Sequence, residues 1–403
     1  MADRVVVAYS GGLDTSWCIP HLIQTLGVEV VTVTIDVGGM SETERTELAK
    51  RSERLGAIEH VHVDAKDLFF DEIIRFLIMG NVLRGQLYPL CVGAERSLQA
   101  REVARVAKEL GVLRVAHGCT AAGNDQVRFE VALRTAAPEV EILAPVRDLA
   151  PSREDEIAFL ASCGHGFEGS SGGAYSINSG LWGVTIGGRE TLDTKEGLPE
   201  EAWVRTRGAF DAPREASRHV IGFEQGVPSS LDGVGGSPVE VIERIDTLAA
   251  SYGIGRGIHL GETVLGVKGR VAFEAPAATV LITAHRELEK LVLTGRQQGV
   301  KDQVARLYGD LVHEGQFLEP TCRDIEALLM SSQGRVSGEV TITVRPGMLF
   351  VEGVTSGFSL RDASTADYGE LAGEWTPRDA AGFSRVVGLP GQLHARAGGE
   401  VSS

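Results

Sequence analysis

The chain has 403 residues, 43% hydrophobic and 23% charged, with 39 Lys and Arg against 55 Asp and Glu for a net charge of −16. That length accommodates two cores at roughly 100 to 200 residues each, the composition excludes a disordered or fibrous chain, and the acidic balance argues against nucleic acid, whose binding needs Lys and Arg to neutralise phosphates. Cys18, Cys91, Cys119, Cys163 and Cys322 are scattered without a CxxC pair, and no apolar run reaches the roughly 18 residues of a membrane span, so reduced thiols in a cytoplasmic protein with no membrane contact are expected.

The first 145 residues alternate short β-branched runs with longer helical patterns, which predicts an α/β fold whose parallel sheet is covered by helices. Strands are expected at Val5–Tyr9, Val28–Ile35, Ile58–Val63, Arg114–His117 and Glu141–Ala144. Helices are expected at Asp14–Leu26, from Ser41 with Glu44 at capping-box spacing, and at Ala65–Met79, Glu95–Leu110 and Asp125–Ala136. Ligands of such open sheets lie beyond the carboxyl ends of the strands, so the residues after Tyr9, Ile35 and His117 should share one site. From Gly164 the sequence GHGFEGSSGGAYSINSG turns glycine- and serine-rich, which reads as a linker or a ligand-binding loop. The expected division is a nucleotide-binding domain over 1–165, an α+β substrate-binding and multimerisation domain over 166–375, and a C-terminal arm or frayed tail over 376–403. The second domain should hold a helical stretch over Ala277–Glu314 and strands at Ser337–Arg345 and Met348–Val354.

Chemistry concentrates first in AYSGGLDTS, Ala8 to Ser16, where a strand turns into a helix. Gly11 and Gly12 permit positive φ and let backbone amides approach an anion, and the helix dipole beginning near Asp14 favours negative charge. Ser10, Thr15 and Ser16 add hydroxyl donors at the rim, and Asp14 can hold magnesium or cap the helix. The GxxxxGK[ST] loop of kinases is missing. A second cluster, HGCTAAGNDQVRFE, spans His117 to Glu130. Asn124 and Arg128 are four apart on one helix face, with Asp125 beside them. A guanidinium fork suits an α-carboxylate and a carboxylate suits an ammonium, so the cluster could grip an amino acid; it could equally be a local Asp125–Arg128 contact.

SGGLDTS resembles the pyrophosphate loop of the ATP pyrophosphatase superfamily, whose members cleave ATP between the α- and β-phosphates. GNDQVRFE, LDTS, APVR (Ala144–Arg147), YSINSGLWG (Tyr175–Gly183), GIGRG (Gly253–Gly257) and KGR with FEAP (Lys268–Pro276) are similar to segments of argininosuccinate synthases, at compatible spacing over nearly the whole chain. The resemblance implies ATP contacts by Ala8, Tyr9, Ser10, Gly11, Gly12, Leu13, Asp14, Thr15, Ser16, Thr34 and Gly118. It implies aspartate contacts by Thr120, Asn124 and Asp125, and citrulline contacts by Tyr88, Asn124, Arg128, Ser176, Thr185, Glu262 and Phe273. Magnesium would come mainly with ATP, and the assembly would be a homotetramer. The sequence departs from the commoner pattern around citrulline: Gly93 stands for a serine, Phe273 for a tyrosine, and Glu262 in LGET reaches the expected place only with a one-residue shift.

The implied reaction runs through a citrullyl adenylate formed with loss of pyrophosphate, from which aspartate's amine displaces AMP. No strong acid or base stands out, so catalysis is expected from positioning and electrostatics. His117 reads as structuring its loop, Cys119 has no His to activate it, and Trp182 reads as packing. The alternatives are another ligase of the same loop class with a different ureido or guanidino acceptor, and a non-catalytic nucleotide-binding regulator.

Overall fold

The computed structural model describes residues 3–121, 123–166, 175–364 and 375–398, and the chain divides into two compact units, Met1–Ser356 and Gly357–Ser403. The first unit opens with a five-stranded parallel sheet of β1 (Arg4–Ala8), β2 (Glu29–Asp36), β3 (Glu59–Asp64), β4 (Arg114–His117) and β5 (Glu141–Leu143), in the order β3-β2-β1-β4-β5. The continuous valines of β1 fit a strand covered on both faces. Val6 packs into a core with Leu98 and Val103 of the helix Glu95–Glu109, while Val5 and Val7 pack against Leu13, Ile19 and Leu22 of the helix Leu13–Leu26. The expected strands are each found within about one residue, and Ser41 and Glu44 form the expected capping box. The expected helix over Ala65–Met79 is interrupted by a π-turn at Phe70–Ile74.

The remaining strands are antiparallel: β6 (Ser176–Gly180), β7 (Gly183–Gly187), β8 (Ser217–Glu224), β9 (Val227–Leu231), β10 (Val234–Gly235), β11 (Arg256–Glu262), β12 (Lys268–Glu274), β13 (Gly338–Arg345) and β14 (Met348–Thr355). They form two sheets, β10-β9-β8-β13-β14 and β11-β12-β7-β6. The helical stretch expected over Ala277–Glu314 is two helices, Pro276–Val292 and Gly295–His313. Thr294 breaks it by capping the second, with its side chain accepting from the Gln297 amide in a capping box. The helices Pro238–Ala250 and Pro320–Gln333 complete this part. In the second unit, Thr376 and Asp379 box the start of a helix over Pro377–Arg396, within the stretch expected as an arm or frayed tail. Residues 167–174 of the expected glycine-rich loop lie outside the described residues.

Candidate active site

Within the first unit a cavity of about 700 Å³ opens over the carboxyl ends of β1, β2 and β4, where strand order reverses between β1 and β4. Its opposite wall comes from the β11-β12-β7-β6 sheet, through residues of β6, Thr185, His259, Gly261, Glu262 and Arg270. Sequence segments more than 250 residues apart thereby face one space.

The phosphate-binding candidate forms the floor. Gly11 takes φ +75°, which favours glycine, and a Cβ there would lie 2.1 Å from Leu48 Cδ2 and push that side chain aside. Gly12 corrects the expectation for it: at φ −69° it is ordinary extended backbone, serving as the N-cap of the helix Leu13–Leu26 without a side chain to close the first turn. Asp14 therefore lies inside the helix rather than capping it, and the first-turn amides stay open to an anion. Thr15 Oγ1 sits 3.2 Å from Ser10 Oγ and donates to the Gly12 carbonyl at 3.3 Å, bracing the loop. Ala8, Tyr9, Ser10, Asp14, Thr15, Thr34 and Gly118 line the cavity. Leu13 belongs to the core, and Ser16 is buried beneath the loop instead of standing at its rim. The Thr34 hydroxyl is spent on the Tyr9 carbonyl at 2.7 Å. Gly118 packs against the loop so closely that a Cβ would approach Thr15 Cγ2 to 2.9 Å and Thr15 N to 3.0 Å.

The amino-acid cluster lies beside it. Asp125 accepts from Arg128 Nη1 at 2.9 Å and from Arg96 Nε at 3.0 Å. Burial acts to raise its carboxyl, but Arg96 and Arg128 overcome that and hold it at about 2. Arg96 also binds Glu95, Gln99 and Asn178, which makes it the hub of the wall. Arg128 is buried and donates through Nε to the His313 carbonyl at 2.6 Å, while Nη2 faces the His313 ring at 3.2 Å. Burial, then the Arg128 charge, drives that imidazole down to about 2, so it stays neutral. The local Asp125–Arg128 contact is thus formed together with the cluster. Asn124 Oδ1 accepts from the Val264 amide at 2.9 Å, tying the helix Asn124–Ala136 to the turn between β11 and β12. Thr120 lines the same space.

Of the residues expected around citrulline, Tyr88, Asn124, Arg128, Ser176, Thr185 and Glu262 line the cavity. Phe273 does not: it is 2% exposed and borders a smaller cavity behind Tyr88, with ring centroids 5.2 Å apart. Its ring lies instead over Gly257, its pairing partner on β11, where a Cβ would come within 2.3 Å of it. Tyr88 stacks on His259 at 5.5 Å, and its segment is pinned by Trp182 Nε1 donating to the Pro89 carbonyl at 2.9 Å, so Trp182 is packing as expected. Glu262 pairs with Lys268 at 2.8 Å at the exposed mouth. At Gly93 a Cβ would meet the Arg128 guanidinium at 3.4 Å, so glycine lets that group lie against the backbone.

His117 structures its loop as expected: Nδ1 accepts from the Cys119 amide at 3.2 Å and Nε2 faces Glu130 at 3.5 Å. That contact, ahead of hydrogen bonds from Arg134 and Arg147, holds the Glu130 carboxyl at about 2. Burial pushes the Cys119 thiol up to about 12, which leaves it unreactive. Sequence reasoning missed Glu95, Arg96, Gln99, His259 and His313. Asn178 lay within the quoted YSINSGLWG string, but nothing local to the others marks them.

Two family models match the chain, one described as Arginosuccinate synthase N-terminal HUP domain over residues 4–165 and one as Arginosuccinate synthase C-terminal domain over residues 175–394. Similar proteins include the argininosuccinate synthase of Xanthomonas campestris, 41% identical over 97% of this chain and 98% of its own length. That of Dictyoglomus thermophilum is 38% identical, and that of Methanocaldococcus jannaschii 36%, each over 98% of both chains. The chain belongs to the argininosuccinate synthase family. Membership agrees with a parallel sheet that carries an open glycine loop at its switch point and an Asp–Arg cluster alongside.

Proposed function

We infer that this member of the argininosuccinate synthase family is a ligase forming a C–N bond: it joins citrulline to aspartate with ATP, releasing AMP and pyrophosphate, in arginine biosynthesis. The observation that carries this reading is the convergence of the uncapped loop helix and the Arg96–Asp125–Arg128 cluster on one cavity. Loop amides and the helix dipole would hold the departing β,γ-phosphates where charge develops. Citrulline's ureido oxygen would attack the α-phosphorus, with Tyr88, Ser176, Thr185 and Arg128 around it. Thr120, Asn124 and Asp125 would hold aspartate for the second step.

Magnesium would accompany ATP. Among the described residues no group of three or more His, Cys, Asp or Glu is placed to hold a metal, which suits an ion that keeps water and phosphate as most of its ligands, with Asp14 adding one carboxylate. A homotetramer is also proposed, with the helix Pro377–Arg396 as its arm: Phe383, Val386, Val387 and Leu393 are exposed apolar residues at helical spacing that a neighbouring copy could cover. A cytoplasmic location is proposed on the free cysteines; among the described residues no helix is long and apolar enough to cross a membrane. The domain division near residue 165 is retained as a proposal.

Incubation with ATP, magnesium, aspartate and a panel of ureido and guanidino amino acids tests the reading. Citrulline should be the preferred acceptor, with AMP, pyrophosphate and argininosuccinate in equal amounts. Faster turnover of another acceptor would remove the substrate assignment, and ADP with phosphate as the coupled products would remove the chain from this loop class.

A further inference from the structure

The helix Gly295–His313 ends against the amino-acid side of the cavity, and its last turn is fixed there at three points. The His313 carbonyl, left without an intrahelical donor at the helix end, accepts from Arg128 Nε at 2.6 Å. Just past the helix, Gly315 takes φ +83° and lies so close to Arg128 that a Cβ would stand 2.5 Å from its Cα. Within the last turn, Asp310 pairs with Arg84 at 2.8 Å. His313 lines the cavity together with Gly93, Arg128 and His259.

Arg128 Nη2 stands 3.2 Å from both ring nitrogens of His313. An atom equidistant from the two at that range cannot lie in the ring plane without overlapping the carbon between them. The guanidinium therefore sits over the imidazole face, where a planar cation stacks on an aromatic ring. Contact with the face leaves the edge uncommitted, because the ring's N–H and lone pair both point within its plane. Among the described residues no other hydrogen bond reaches either ring nitrogen. Burial, then the Arg128 charge, keeps the imidazole neutral, so its edge offers one donor and one acceptor. Nδ1 lies on the Gly93 side: a Cβ at Gly93 would stand 3.4 Å from Nδ1 and 3.4 Å from Arg128 Nη2. A longer side chain at that position would cover Nδ1, and glycine leaves it open to the cavity.

We propose that His313 is a specificity-determining residue of the acceptor pocket, hydrogen-bonding bound citrulline through Nδ1 while its ring face carries Arg128; the inference rests on the function proposed above. The pocket otherwise lacks a polar group at this place, since Gly93 has no side chain and Phe273 is turned away behind Tyr88. Without His313 a polar group of the acceptor would lose its water on entering the cavity and gain no partner in return. The helix end, the Gly315 turn and the stacked guanidinium fix the ring before the acceptor arrives, so little side-chain freedom is lost on binding.

Three substitutions in the full-length protein separate the edge of the ring from its face. His313→Phe keeps an aromatic face for Arg128 and loses both nitrogens, His313→Asn keeps a polar atom near the place of Nδ1 and loses the face, and His313→Leu loses both. Steady-state synthesis of argininosuccinate, with each substrate varied in turn, gives kcat and the three KM values. In His313→Phe the citrulline KM should rise roughly 3- to 10-fold, the size of one neutral hydrogen bond, with kcat and the ATP and aspartate KM within about twofold of wild type. The citrulline KM should be lower in His313→Asn than in His313→Leu by a similar factor. A rise of less than threefold in His313→Phe overturns the proposal, as does a joint rise of all three KM values, which marks packing alone. Equal citrulline KM values in His313→Asn and His313→Leu overturn it as well. If His313→Phe does not fold, the comparison of His313→Asn with His313→Leu decides. A wild type that makes no argininosuccinate overturns the underlying function instead.

Discussion

Gly118→Ala offers the sharpest check on the phosphate site, because one methyl group is asked to displace one loop. The added Cβ would stand 2.9 Å from Thr15 Cγ2, 3.0 Å from Thr15 N and 3.1 Å from Asp14 C. Two of these neighbours are backbone, so the start of the helix Leu13–Leu26 must move by a few tenths of an ångström. Overpacking of this size costs about 1–3 kcal/mol. If that strain is relieved by moving the loop amides, it appears as lost ATP affinity, roughly 5- to 150-fold at about 1.4 kcal/mol per tenfold. The Arg96–Asp125–Arg128 cluster is not in contact with the new methyl, so aspartate binding should be unchanged. Thr15→Ser removes Cγ2, the nearest neighbour, and keeps the hydroxyl that braces Ser10 and Gly12. The double variant should therefore recover part of the loss, with a coupling of about 0.5–2 kcal/mol. Calorimetric titration of ATP into the four proteins measures the cycle. Unchanged ATP affinity in Gly118→Ala, or strict additivity with Thr15→Ser, would refute the placement of this loop against the β4 end.

Arg128→Lys keeps a charge for Asp125 but gives up the Nε bond to the His313 carbonyl and the Nη2 contact with its ring; the citrulline KM should rise at least tenfold on about 1.5–3 kcal/mol per charged hydrogen bond, with the ATP KM within twofold, and a near-wild-type citrulline KM would reduce Arg128 to a local ion-pair partner. Gly12→Val should abolish formation of both AMP and pyrophosphate by blocking backbone approach to the phosphates, while the protein stays folded, since only Ser10 Oγ, at 3.4 Å, lies near the new Cβ; chromatography of the products decides it. Asp125 is held at about 2 against an ordinary value near 3.9, so its ionised form contributes stability that is complete above about pH 4 and lost as pH falls through about 2. Denaturant titrations of wild type and Asp125→Asn should differ at pH 7 and converge toward pH 2, and a difference independent of pH would dismiss the charge as its source.

The sequence by itself determined the parallel sheet, its strand boundaries and the phosphate loop, because these are local. A run such as RVVVA that is apolar on both faces has no stable place except a covered strand, and a glycine pair between that strand and a helix places amides at the strand's end wherever the rest of the chain goes. The capping box at Ser41 is local in the same sense, although the boxes at Thr294 and Thr376, equally local, were not foreseen. The amino-acid wall was decided by tertiary structure. Arg96 is a hub only because Asn178, eighty-two positions on, is carried to it by β6, and His313 meets Arg128 across 185 positions. Phe273 was expected at citrulline, yet its ring fills the space that Gly257 of β11 leaves open and packs behind Tyr88. Glu95 was legible as the start of a helix and nothing more: whether a carboxyl there is a solvated first-turn acid or one that burial raises to about 8 depends on desolvation, and desolvation is set by which distant segments, here Gly180 and Arg96 with its partners, close over it.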